Sequence, residues 1–125
     1  MVNKYKAIKT ERQLAYGVHV FDSKKEAQRF DELMLLLKAG QIRNLKLQPQ
    51  FTLQESYVSS DGERIRAIRY TADFSYERRT KLDAEGVIFW PKVVEDCKSS
   101  ATKTKDFEIR KRLLNDRFGI SITEV

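Results

Sequence analysis

The sequence is poor in the residues that staple small domains together, with one cysteine, Cys97, and one histidine, His19. A lone cysteine excludes an intrachain disulfide, and a single histidine excludes a Cys/His zinc cluster, so any bound metal must be held by oxygen. No run approaches the roughly 20 apolar residues of a membrane-spanning helix. The opening MVNKYKAIKTER also lacks the apolar core of a signal peptide, and the expectation is a cytoplasmic protein without a membrane partner. Internal repeats, low-complexity tracts and linkers are missing too. With 125 residues the chain suffices for one hydrophobic core and is short for two, which predicts a single domain over residues 1–125.

What is present is a hydrophobic fraction of 41%, enough for a packed interior, and an excess of 24 Lys and Arg over 18 Asp and Glu. The resulting net charge of +6 favours a polyanionic partner through counterion release, with nucleic acid first.

The patterning changes along the chain. Residues 13–21 alternate weakly around Gly17, which predicts an N-terminal β-hairpin. From 23 to 39, Phe30, Leu33, Met34 and Leu37 recur at helical spacing and Gly40 follows as a stop signal. Residues 45–57 and 64–76 read as two antiparallel strands joined by the turn Ser59-Ser60-Asp61-Gly62. A third strand over 87–98 is interrupted by Pro91, which cannot donate to a ladder. Thr104 caps a second helix that runs to Phe118 and ends at Gly119, and 120–123 resembles a last short strand. The predicted order is hairpin-α-β-β-β-α-β.

Strand alternation sets Ile68, Tyr70, Ala72, Phe74 and Tyr76 on one face and Arg69, Thr71, Asp73 and Ser75 on the other, so Asp73 is expected to face away from the apolar side. The same period puts Val94, Asp96 and Lys98 together and Glu95 opposite, in a structural role. If the two strands are neighbours, Asp73 and Asp96 converge, and two close carboxylates repel unless a cation lies between them. Mg²⁺ (or Mn²⁺) suits that donor set. Such a metal can polarise a phosphoryl oxygen and acidify water, while Lys98 can offset charge on a phosphate. An Asp-x-Lys by itself is a weak motif that solvated strand residues also produce. Glu26 completes a capping box with Ser23, yet it shares a helical row with Phe30, Leu33 and Leu37 and so points at the sheet. Capping and metal-linked catalytic duty both remain open for it.

The segments FDSKKEA (21–27), LQPQF (47–51), YTADF (70–74) and VVEDCK (93–98) together resemble a phage-borne family of small restriction-endonuclease-like proteins within the PD-(D/E)xK nuclease superfamily. The resemblance implies an α/β fold, a mixed β-sheet flanked by two helices, with Asp73, Asp96 and Lys98 catalytic and Asp73 and Asp96 holding the metal. Glu26 matches the additional helix glutamate of junction-resolving branches, as a further catalytic and metal-linked acid. Ala72 stands where the superfamily has Pro and Ser99 where Gly is common, and the 77–91 connection is long. The implied activity is a metal-dependent endodeoxyribonuclease, on branched DNA of the Holliday-junction type in recombination or replication. The competing expectation is a catalytically silent DNA-binding module on the same fold. Arg69, Lys103, Lys105, Arg110, Lys111 and Arg112 are the expected DNA contacts, by charge and by their proximity in sequence to the site. Paired cuts would suit a homodimer, although no feature marks its interface.

Overall fold

The computed structural model describes residues 9–82, 86–97 and 104–125. The first hairpin, β1 (Thr10–Leu14) and β2 (Gly17–Phe21), leads into α1 (Lys24–Lys38). Ser23 caps this helix, its Oγ accepting from the amide of Glu26 at 3.1 Å. There follow β3 (Ile42–Leu47), β4 (Gln50–Gln54), β5 (Tyr57–Val58), β6 (Arg64–Ile65), β7 (Ile68–Thr71) and β8 (Phe74–Arg78). A further hairpin, β9 (Thr80–Leu82) with β10 (Val87–Phe89), precedes β11 (Lys92–Asp96), α2 (Lys105–Phe118) and β12 (Ile122–Glu124). Gly119 ends α2 in the left-handed conformation at φ 67°, where a side chain would be strained.

The chain is mixed α/β. Its largest sheet has the order β12-β11-β8-β3, with β12 parallel to β11 and the other pairs antiparallel. Alternation along β11 separates two cores. Val93 packs with Phe21, Ala27, Phe30, Leu33, Phe74 and Tyr76 on the α1 side, whereas Val94 packs with Phe51, Tyr70, Phe107, Leu114 and Ile122 on the α2 side. Each large apolar side chain so buried contributes about 1.5–3 kcal/mol, which holds both helices to their faces.

The two long strands expected over 45–57 and 64–76 are each broken into three pieces, and that correction bears on the site. Gln48 takes φ 50° and Pro49 cannot donate to a ladder. The ribbon bends there, with the Gln48 amide bonded to the Asp73 carbonyl at 2.9 Å and the Ala72 amide to the Pro49 carbonyl at 3.0 Å. Tyr70 and Ala72 before the bend enter the α2-side core, while Phe74 and Tyr76 after it enter the α1-side core. A single apolar face running from Ile68 to Tyr76 does not exist. Asp73 lies at the bend between the two cores and not on a solvent face. Pro91 breaks the next segment as expected, and Val87–Phe89 pairs with β9 instead of extending β11. No helix among the described residues is long and apolar enough to cross a membrane.

Candidate active site

Asp73 and Asp96 lie at the end of β11, and the charge of Glu26 on α1 reaches Asp73. Asp73 comes from the bend before β8, and its Oδ2 accepts the backbone N–H of Cys97 at 2.6 Å. Asp96, the last residue of β11, is 1% exposed and accepts a hydrogen bond at Oδ2 from the hydroxyl of Tyr70 on β7. The Asp96 carboxyl acts on Asp73 and holds its proton affinity up. Glu26, in the first turn of α1, is 4% exposed, and its charge acts on both Asp73 and Cys97. The capping bond from the Glu26 amide to Ser23 and the burial of the Glu26 side chain coexist, so the cap does not draw this residue out to solvent.

The electrostatics follow from burial. Desolvation first, then the Asp96 carboxyl and the charge of Glu26, push the Asp73 carboxyl up to about 8, against the opposing pull of the Cys97 amide. Burial, followed by the charges of Asp73 and Glu26, pushes the Cys97 thiol up to about 12, so it stays a neutral thiol packed against the α1-side core. Burial and the bond to Asp96 also raise the Tyr70 phenol, which keeps its proton available to that carboxylate.

Among the described residues no group of three or more His, Cys, Asp or Glu side chains is already arranged to hold a metal ion. A pair of carboxylates nevertheless fits Mg²⁺, which is commonly bound by one or two carboxylates together with water and substrate phosphate and not by an all-protein cage. A divalent ion would replace the proton that Asp73 otherwise retains.

The expected basic residues separate on folding. Arg69 and Arg110 meet, the Arg110 Nε donating to the Arg69 carbonyl at 3.1 Å, and they border a depression of about 410 Å³ that Tyr70, Thr71 and Thr104 also line. Tyr70 connects this depression to Asp96. Lys111 turns the other way, to Glu124 of β12 at 3.2 Å. Lys105 and Arg112 lie along a different stripe of α2, beside Glu108 and Ile109. Lys98 and Lys103 lie outside the described residues.

Sequence reasoning did not single out Tyr70, whose apolar ring belongs to the strand pattern while its hydroxyl serves Asp96. Nor did it single out Arg29, which reads as one more charge on a helix but grips the fully buried Glu95, with Nε to Oε1 at 2.8 Å and Nη2 to Oε2 at 2.6 Å.

A model of the family described as a protein of unknown function (DUF1064) matches residues 2–121. The chain belongs to the DUF1064 family. No curated protein and no solved structure matches it. The DUF1064 match takes in Glu26, Asp73, Asp96 and the basic residues of α2, so the acids and the cations lie within one family unit.

Proposed function

We propose that this DUF1064 chain is a metal-dependent endodeoxyribonuclease of the PD-(D/E)xK type, with Mg²⁺ or Mn²⁺ held by Asp73 and Asp96. The observation that carries the reading is the approach of Asp73 to the buried Asp96, with the charge of Glu26 raising Asp73 further. A desolvated carboxyl with a strongly raised proton affinity is a candidate functional group, since active sites are where burial and like charges are arranged to shift titration.

When bound, the metal polarises a phosphoryl oxygen and lowers the pKa of attacking water. The protein's own groups do the rest. Tyr70 orients Asp96 by donating to Oδ2, and the Cys97 amide fixes Oδ2 of Asp73, so both carboxylates are held in place to meet the cation. Glu26 adds negative charge on the α1 side and can orient water or share in holding the metal. Lys98, two residues beyond Asp96, offsets charge developing on the phosphate. Arg69 and Arg110 suit the strand entering beside Tyr70, where phosphate contacts fix register without reading sequence.

Branched DNA is the proposed substrate class, in phage-type recombination or replication within the host cytoplasm, with a homodimer for paired cuts. The second reading, a DNA-binding module without turnover, keeps the basic residues and discards the metal. Incubating the purified protein with plasmid and with a four-way junction, in Mg²⁺ or in EDTA, separates the two. Metal-dependent cleavage supports the enzyme, and binding without cleavage in any metal supports the module.

A further inference from the structure

All the elements that carry the site's acids meet at Glu95. Its carboxylate, 0% exposed, is held in a two-pronged grip by Arg29 of α1 and also accepts a hydrogen bond from the Tyr76 hydroxyl of β8. Its backbone carbonyl accepts the amide of Asp73 at 3.2 Å. The residue that follows it is Asp96. Arg29 lies about one helical turn after Glu26, and its third nitrogen is steadied by Glu32 at 2.7 Å.

A buried ion pair is a poor source of net stability, since desolvation offsets most of the attraction and apolar side chains of similar volume often do as well. What the planar guanidinium supplies is direction, because two parallel bonds to one carboxylate fix both distance and angle. We propose that the Arg29–Glu95 pair is a positioning clamp that sets Glu26 of α1 against the Asp73–Asp96 pair. This rests on the metal-site reading above. Neither residue is a catalytic residue. Arg29 acts through Glu26, and Glu95 through the backbone of Asp73 and Asp96.

Metal affinity separates positioning from charge. By electrostatics alone, any variant that preserves the net charge of the pair should bind a cation like wild type. Arg29→Lys keeps the charge but loses the fork, and Arg29→Met with Glu95→Gln keeps the net charge but loses the ion pair while Gln still accepts from Tyr76. Each protein is titrated with Mn²⁺ by calorimetry, with folding checked by circular dichroism and thermal melting. The expected result is a loss of Mn²⁺ affinity of about 10- to 100-fold in both, with cooperative melting retained. In a Glu26→Gln background Arg29→Lys should cost little more, since Arg29 acts through Glu26. Wild-type affinity in either folded variant, or full additivity of Arg29→Lys with Glu26→Gln, overturns the clamp. If wild type itself takes up no Mn²⁺, or Asp73→Asn takes it up equally well, the metal-site reading falls and the clamp falls with it.

Discussion

At the scale of single residues, Asp73 carries a testable titration. Its folded-state pKa is raised from 3.8 to about 8, so between these values the native chain holds a proton that the unfolded chain has released. Stability must then fall as pH rises through that window and level off above it. On the proposed metal site a bound divalent ion takes the proton's place, so the rise in melting temperature produced by Mg²⁺ should grow over the same interval. Melting curves for wild type and Asp73→Asn, with and without Mg²⁺, check this, and an equal pH slope in both proteins would count against the raised Asp73 titration. Tyr70 gives a second prediction. Tyr70→Phe keeps the ring in the α2-side core and removes the donor to buried Asp96, which should lower stability by about 1–3 kcal/mol and weaken metal binding by about 10- to 100-fold. Unchanged metal affinity would show that Asp96 needs no help in holding its orientation.

At the scale of elements, helix α1 both begins at Ser23 and delivers Glu26, and the two duties can be separated. Ser23→Ala removes the bond to the Glu26 amide and should cost about 0.5–2 kcal/mol of stability, with turnover at saturating metal little changed. Glu26→Gln should leave the fold intact and reduce turnover by orders of magnitude. Wild-type cleavage by Glu26→Gln would leave Glu26 as a cap alone. The helices themselves were legible in the sequence, because Phe30, Leu33, Phe107 and Leu114 recur at helical spacing and Ser23, Thr104 and Gly119 mark ends. The bend at Asp73 was not. Ala72 and Asp73 carry no break signal of their own, and the kink is imposed from the facing strand by Gln48 and Pro49, far away in sequence. The strand pattern therefore ran on through Asp73 and hid the change of core that the bend makes. Glu95 was correctly set opposite Asp96 by alternation, but its partner Arg29 lies 66 residues earlier, beyond the reach of any local pattern.

At the scale of the whole molecule, a net charge of +6 says that a polyanion is welcome without saying where it lies. Folding selects among the cations. Arg69 and Arg110 border the depression next to Tyr70, and Lys111 is committed to Glu124. Neutralising Arg69 and Arg110 together should weaken DNA binding and flatten its salt dependence by roughly one unit of slope per lost phosphate contact. Neutralising Lys111 should change the slope less. The reverse order would place the DNA along β12 and not beside the acids. The most direct test of the whole reading remains cleavage of plasmid and four-way-junction DNA by wild type, Asp73→Asn and Asp96→Asn, each in Mg²⁺ and in EDTA. Cleavage by wild type in Mg²⁺ alone, lost in both variants while they stay folded and still bind DNA, is the predicted result. Equal cleavage in EDTA, or undiminished cleavage by either folded variant, would contradict it.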